Sequence, residues 1–394
     1  MGKVGTEATL QEIKGLVEVL AKGTTTETLA GFKTLVRNGT ASSSFPVGTQ
    51  LVEKWAKAQD TEYDAPWDVA HYDTTGNAYL NWHFCLPDGV MFDAPEAIYF
   101  AGENGLAAGT YHIGIGTAYG TGWDTAKSIQ FTLNNAMSAG DQLVINMGQD
   151  NKNDPTNGRT WNVYAKGDTT SKDTGTTSNG TGGTSLGTIG ATNAHKPEGN
   201  LNGISRVVYG YARWSQSAIR QYLNSSAAAN AWWTAQNDWD RPPTQHTTMR
   251  GFLAGYSADF VNALDTVDVV TALNTVEGHA ETSETTQDKI FLPSLQEMYI
   301  NPQLANVEGV DWDYNKALAQ QAGLSGKFQQ YQTYEILKKY RLDDKTSSAY
   351  VVLRSCSRSF ASYEWYISGS GYVSAAYAYN AYGGCPACKI LKSA

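Results

Sequence analysis

Residues 362–385 read SYEWYISGSGYVSAAYAYNAYGGC, a stretch made almost wholly of Tyr, Ser, Ala and Gly. From Ser357 to Gly384 only Arg358 and Glu364 carry charge, and only Ile367 and Val373 are of the kind that fills a strand core. A disordered linker holds few aromatics, yet Tyr363, Tyr366, Tyr372, Tyr377, Tyr379 and Tyr382 crowd into this tract. Tyrosine supplies large, stiff, amphipathic area at small entropic cost, and Ser and Gly supply room and adaptable hydrogen bonds, as in antibody paratopes. The same composition also reads as a Tyr-rich hairpin that packs on its own domain.

Upstream of the tract the chain mixes short helices and strands. RWSQSAIRQYLNS predicts a helix with Trp214, Ala218, Ile219, Tyr222 and Leu223 on one face. GFLAGYSADFVNALD predicts a second helical stretch, and FQQYQTYEILKKY a third. VDVVTAL, KIFLPSL and AYVVLRS predict strands, and CPACKIL a last strand. There is no βαβ rhythm, so this part is α+β rather than a doubly wound sheet.

Further upstream, GDTTSKDTGTTSNGTGGTSLGTIGATNAHKPEGN reads as a flexible linker or a long hairpin and places a boundary near residue 196. Before it, AYLNWHFCL, AIYFAG, GTYHIGIG, KSIQFTL, QLVINM and TWNVYAK predict strands of an antiparallel sandwich. Residues 6 to about 37 predict two short helices, the second being LAGFKTLV with a Thr cap. They suit packing on the next domain, a bundle with sister chains, or an attachment arm.

The 394-residue chain is 17% charged, with a net charge of −9, which offers no basic face to nucleic acid or an anionic membrane. No apolar run is long enough for membrane insertion, and MGKVGTEATLQEIKGL lacks the apolar centre of a signal peptide. The expectation is a chain made soluble in the cytoplasm.

Other motifs read as structural. GIGTAYGTG departs from a phosphate-loop spacing and reads as a strand running into a loop. The histidines are scattered, with no metal-ligand spacing. Cys85, Cys356, Cys385 and Cys388 form no disulfide scaffold. The CPAC pair admits a redox or metal role, but its setting reads as a strand with buried thiols. NDWDRPP, residues 237–243, gathers oxygens that can hold calcium, and reads equally as a capped turn. No cofactor beyond that calcium is expected, and no catalytic constellation can be assembled.

The stretches YARWSQSAIRQYLNS, AWW, DRPP, GFLAGYSADFVNAL and VVLRSCSRSFASYEWYISGSGYVSAAYAYNAYGGCPACKI together resemble the variable target proteins of diversity-generating retroelements, over roughly residues 200–394. The whole-chain layout resembles those carried by phages and prophages of gut bacteria. The resemblance implies a multidomain, β-rich chain: short N-terminal helices (1–45), an antiparallel β-sandwich (46–195), then an α+β C-type-lectin-like ligand-binding domain (196–394). The variable region would lie at about 354–390. The positions it implies to vary and bind are Ser357, Ser359, Phe360, Ser362, Tyr363, Tyr366, Ser368, Ser370, Tyr372, Ser374, Ala375, Ala376, Tyr377, Tyr379, Asn380 and Tyr382. The scaffold it implies is Arg354, Trp365, Gly371, Val373 and Trp214, with Ala378, Ala381, Gly383 and Cys385.

The implied function is non-enzymatic recognition of a bacterial surface protein or glycan by a virion component. Its neighbours would be other virion proteins, and the chain a homo-oligomer, with a trimer suggested by particle symmetry. The alternatives are a bacterial surface or intracellular binding protein with the same module, a purely structural virion protein, and a formylglycine-generating-type oxidase. The oxidase would need reactive thiols among Cys356, Cys385 and Cys388.

Overall fold

A computed structural model describes residues 24–25, 27–58, 61–115, 127–146, 157–189 and 205–393. The first expected N-terminal helix, His195 and most of the glycine run after Ile115 lie outside the described residues. The protein is β-rich, with several antiparallel sheets and few, short helices.

The helix Leu29–Asn38 follows from its sequence. The Thr28 hydroxyl caps it by accepting from the Gly31 amide at 3.2 Å, and Leu29, Phe32 and Val36 fall on its buried face. That face lies against the helix Ala258–Ala263, and Lys33 donates to the Ala263 carbonyl and pairs with Asp265. Strands Gln50–Ala58, Thr61–Tyr72 and Ala78–Trp82 form an antiparallel meander. The last strand of the chain, Ala387–Ile390, completes the sheet, with Cys388 opposite Leu80. This confirms CPACKIL as a terminal strand.

That pairing corrects the boundary expected at residue 46. Trp55, Trp67 and Trp82 bury against Phe252, Tyr256 and Phe260, so residues up to Phe92 share one core with the C-terminal half. Strand pattern alone cannot show this, because the edge partner and the covering rings arrive from the far end of the chain. The sandwich proper starts near Ile98.

One of its sheets holds Tyr99–Phe100, Gln142–Ile145, Thr160–Tyr164 and Ser171–Thr176; the other holds Gly109–Ile115, Lys127–Leu133, Ser178–Asn179 and Thr184–Ile189. Ile113, Ile129, Phe131, Leu143, Trp161 and Val163 fill the space between. The stretch read as a linker or long hairpin therefore supplies strands to both sheets. Asp173 fixes it by accepting from the Asn134 and Asn135 amides at 3.0 Å.

In the C-terminal half the expected helix at 213–225 is split into a 3-10 turn, Trp214–Gln216, and the helix Ala218–Leu223, capped by Ser217. Trp214, Ala218, Ile219, Tyr222 and Leu223 are all buried. GFLAGYSADFVNALD divides likewise into Phe252–Gly255 and Ala258–Ala263. Val267–Ala272 pairs with Ser283–Asp288. KIFLPSL makes only an isolated bridge, Phe291 to Ala387. FQQYQTYEILKKY forms only the 3-10 turn Glu335–Leu337 of the expected helix: its Tyr331 and Tyr334 amides donate to the Val373 and Gly371 carbonyls, so the ladder beside the tract claims them. A helix not expected from sequence runs Asp313–Gln321 and buries Asn315, Ala317 and Ala319, residues too small or polar to announce a face.

The tract folds into a sheet of order Val373–Tyr377, Tyr363–Ile367, Val351–Cys356, Ala381–Gly384 and Val90–Met91. A third apolar cluster, with Leu295, Met298, Phe328 and Leu337, receives Leu353, Trp365, Ile367 and Val373 from it.

Candidate ligand-binding face

The tract holds buried and half-buried residues on both sides of its sheet. Tyr363, Trp365 and Ile367 stand opposite Tyr377, Ala375 and Val373 on one side of the sheet; Glu364 and Tyr366 stand opposite Ala376 and Ser374 on the other. Trp365 and Val373 are fully buried, and the Trp365 indole donates to Gln303 at 3.3 Å.

Arg354, buried in a strand whose six residues are all buried, is the strongest anchor. Its guanidinium binds both carboxyl oxygens of Glu297 and donates to the Leu292 carbonyl at 2.8 Å and the Glu308 carbonyl at 3.1 Å. Beside it the Ser355 hydroxyl donates to the Glu308 carboxyl at 2.6 Å, and burial raises the Glu308 pKa against the pull of Arg354. Gly371 sits at φ +84, where a Cβ would stand 2.1 Å from the Tyr334 carbonyl oxygen; only glycine fits there. Trp214 donates to Asp288 at 3.0 Å, an oxygen that also accepts from Thr286 at 2.6 Å.

Two groups of rings gather on the tract, one with Tyr363 and Tyr377 on the side of Trp365, the other with Tyr366 on the opposite side. In the first, Phe360 stacks on Tyr363 at 4.6 Å, Tyr363 meets Tyr377 edge-on at 4.6 Å, and Tyr377 stacks on Tyr379 at 5.7 Å. In the second, Tyr382 lies 5.2 Å from Tyr366 and 5.1 Å from Tyr350. Partial burial raises the pKa of Tyr366 and Tyr377 and pushes Tyr382 up to about 12, so these phenols stay neutral donors at physiological pH.

Of the candidate positions, Ser359, Phe360 and Ser370 are exposed. Tyr363, Tyr366, Tyr372, Ser374, Ala375, Ala376, Tyr377, Tyr379, Asn380 and Tyr382 are half-buried along the face. Ser357, Ser362 and Ser368 are a correction: all three are buried. Ser362 accepts from the Ser205 hydroxyl at 3.0 Å, and the Ser368 hydroxyl accepts the Ser370 and Tyr372 amides to close the hairpin turn. A serine hydroxyl that satisfies buried backbone looks the same in sequence as one offered to a ligand. Conversely Ala381, expected in the scaffold, is exposed, while Ala378, Gly383 and Cys385 are buried.

Glu364 is fully buried, and neither of its carboxyl oxygens has a hydrogen-bond partner among the described residues. Desolvation raises its pKa well above the carboxylate range, so it sits in the sheet as a neutral acid. Sequence reading also missed Tyr209, Tyr331 and Tyr350. Tyr350 had a signal, an aromatic directly before a buried strand; the other two had none.

The remaining motifs are occupied by structure. All four cysteines are free and buried; burial pushes Cys385 up to about 11 and raises the other three further. In the NDWDRPP turn, Asp240 accepts the Gln236 amide at 2.8 Å, Asp238 pairs with Lys166 at 2.6 Å, and Asn237 accepts the Trp239 amide at 2.9 Å. Among the described residues no three His, Cys, Asp or Glu side chains converge to hold a metal, and no helix is long and apolar enough to cross a membrane.

Comparison with known proteins adds one match. A family profile described as "Domain of unknown function (DUF6273)" covers residues 199–393, the part of the chain that carries the tract. No curated protein and no solved structure matches.

Proposed function

We propose that this chain is a non-enzymatic ligand-binding protein whose recognition face is the tyrosine-rich surface of the tract sheet. On this reading the C-terminal half is a C-type-lectin-like module, diversified by a retroelement and carried on a phage or prophage particle to a bacterial surface ligand. The observation that carries it is the split of the tract. Arg354, Trp365, Gly371 and Val373 are locked into the interior, while most of the Tyr and Ala between them stay half-buried or exposed in neutral, ring-rich surface. The outward residues can change without disturbing what holds the strands. Many copies on one particle would raise a modest single-site affinity by orders of magnitude. The burial of every cysteine weighs against the oxidase alternative, which needs an accessible thiolate.

The test is direct. Fluorescently labelled full chain is applied to a panel of intact bacterial cells beside the triple variant Tyr363→Ser, Tyr377→Ser, Tyr379→Ser. The expected result is staining of a subset of strains that the triple variant loses while its melting curve stays cooperative. Equal staining by both proteins, or staining of no strain, rejects the proposal.

A further inference from the structure

One side of the tract sheet changes character along its length. Ile367 faces Val373 and Trp365 faces Ala375 over the third core, while Tyr363 faces Tyr377 outside that core. Around this last pair the rings are continuous: Phe360 stacks on Tyr363, Tyr363 meets Tyr377, and Tyr377 stacks on Tyr379. A ring from outside the tract completes the group. Tyr209, at the end of the helix Ser205–Tyr209, stacks on Tyr377 at 4.1 Å and lies 6.1 Å from Tyr379. Tyr377 thus touches Tyr209, Tyr363 and Tyr379, which makes the five rings one patch.

The backbone beneath Tyr209 is held by other groups. The Ser205 hydroxyl donates to the Ser362 hydroxyl at 3.0 Å, the Tyr209 carbonyl accepts the Tyr379 amide at 2.9 Å, and the Ala212 amide donates to the Ala361 carbonyl at 2.9 Å. Arg206, on the same helix, is buried; it binds Glu96 and Glu277, and its guanidinium lies over the Tyr211 ring at 3.6 Å. Gly210 follows at φ +80, where a Cβ would stand 2.3 Å from the Asp93 carbonyl oxygen, so only glycine lets the chain turn there. None of these ties uses the Tyr209 side chain. The fold fixes where residue 209 sits without requiring that it be a tyrosine, and the half-buried ring is explained by what it presents.

We propose that Tyr209 is a constant contact residue of the recognition face, and that the five-ring patch takes an uncharged stretch of polypeptide. The proposal rests on the reading of the tract as a binding face. Position argues for the constant role. Residue 209 lies outside the stretch that a retroelement would rewrite, so its ring stays when Tyr377 or Tyr379 is exchanged, and it stands on backbone already ordered before binding. Charge argues for the ligand class. Of the tract's two charged side chains, Arg358 donates to the Leu273 carbonyl at 2.8 Å, and Glu364 is buried on the other side of the sheet. A charged wall polymer would find no free counter-ion in the tract. Ring geometry argues the same way. A saccharide stacks on a free aromatic face, but here Tyr209, Tyr377 and Tyr379 cover one another, and Phe360 covers Tyr363. The patch therefore offers ring edges and phenolic hydroxyls, the contacts that suit a polypeptide.

The experiment pans a phage-displayed library of disulfide-constrained random peptides on the immobilised full chain and depletes it on the triple variant Tyr363→Ser, Tyr377→Ser, Tyr379→Ser. A saccharide array is probed in parallel with both proteins. Surviving peptides are titrated against Tyr209→Ala, Tyr209→Leu, Tyr209→Phe and Tyr350→Ala, the last an exposed ring beside Tyr366 and Tyr382 on the opposite side of the sheet. Urea unfolding of each variant separates loss of binding from loss of fold, and Tyr209→Leu, which keeps apolar bulk, carries the test if the alanine variant unfolds. The expected result is a loss of roughly tenfold or more for Tyr209→Ala and Tyr209→Leu, with Tyr209→Phe and Tyr350→Ala binding like the wild type. Peptides indifferent to Tyr209→Ala and Tyr209→Leu overturn the constant contact and leave the binding face standing. A Tyr209 effect that disappears in a Tyr377→Ala background makes Tyr209 a prop for Tyr377 and overturns the contact as well. Equal loss on Tyr350→Ala overturns the assignment of the ligand to the five-ring patch. Saccharides held by the full chain and not by the triple variant, with no surviving peptide, overturn the polypeptide ligand and leave the face standing. No binding on either probe overturns both readings.

Discussion

Replacing Asp240 by Asn removes one of two carboxyl groups that the fold buries within repelling distance of each other, where the sandwich meets the C-terminal half. Asp93 and Asp240 are each 2% exposed. Asp93 accepts the Tyr211 amide at 3.3 Å, Asp240 accepts the Gln236 amide at 2.8 Å, and one oxygen of each has no partner among the described residues. Glu96 adds negative charge, and Arg206 answers it with a bidentate contact to Glu96 and a bond to Glu277. Arg241, next in sequence, spends its guanidinium on Gln142 and the Asp168 carbonyl. Burial raises both aspartates, Asp93 well above its ordinary range and Asp240 to about 7.

A folded-state pKa above the unfolded one makes stability greatest below the unfolded value and erodes it as pH rises to the folded value. From about pH 4, where the unfolded aspartate ionises, to about pH 7, where the folded Asp240 does, each retained proton lowers stability by about 1.4 kcal/mol per pH unit. For Asp240 that sums to about 4 kcal/mol. Urea unfolding of wild type and Asp240→Asn at half-unit steps from pH 4 to pH 8 measures the difference, because titrating groups remote from Asp240 cancel and only near neighbours such as Asp93, relieved of the Asp240 charge in the variant, add to it. The wild type should lose stability relative to the variant across pH 4–7 and run parallel to it above. Parallel curves from pH 4 onward would show that the pair is solvated or paired in a way this geometry does not have, and the reasoning would fail.

Arg354→Ala strips the buried Glu297 carboxylate of its partner and should cost about 3–5 kcal/mol, read by urea unfolding; a cost below 1 kcal/mol would remove Arg354 from the scaffold. Glu364→Leu removes a buried acid with no hydrogen bond and should raise unfolding free energy at pH 7 by about 1–3 kcal/mol; destabilisation would mean the carboxyl has a partner. Native-state labelling with a maleimide should leave Cys85, Cys356, Cys385 and Cys388 unmodified until denaturant is added, and fast labelling of Cys356, Cys385 or Cys388 would reopen the oxidase alternative. Deep sequencing of the 3′ end of the gene across one growing lineage should find substitutions crowded onto codons such as those of Tyr363, Tyr366, Tyr377 and Tyr379, sparing Arg354, Trp365 and Gly371. An invariant stretch would remove diversification from the proposed function.

What could be read from sequence was local. The sandwich strands Gly109–Ile115 and Lys127–Leu133 announce themselves because Tyr111, Ile113, Ile129 and Phe131 alternate with half-buried or polar neighbours. Thr28 and the spacing of Leu29, Phe32 and Val36 give the helix its cap and its face. The anchored half of the tract was legible because a lone Trp or Val among small polar residues has nowhere to go but inward. What could not be read was tertiary. Strand Ala78–Trp82 finds its neighbour in Ala387–Ile390, near the opposite end of the chain. Phe328 and Leu337 would face opposite sides of the helix expected there, yet both bury in the third core from a segment whose amides bond to the tract. Tyr209 reaches the face only because Gly210 turns the chain against Asp93.

On the proposed reading, the energy scales of the two halves of the tract let one sheet serve as both scaffold and variable surface. A stacked ring pair contributes about 0.5–1.5 kcal/mol beyond its buried area, whereas opening a buried ion pair costs about 3–5 kcal/mol and truncating a buried Trp about as much. Losing one of the contacts among Phe360, Tyr363, Tyr377 and Tyr379 therefore removes a small part of what Arg354, Trp365 and Val373 provide from beneath. The backbone adds its own share. Ala378 donates to the Ser362 carbonyl and its carbonyl accepts the Asp93 amide, so the turn carrying Tyr377 and Tyr379 is pinned on both sides without help from either ring. Substitution on the face thus spends little stability, while the same substitution at a buried position would spend most of what a domain has. A surface of this kind tolerates change because its position in space is decided by the buried residues beneath it.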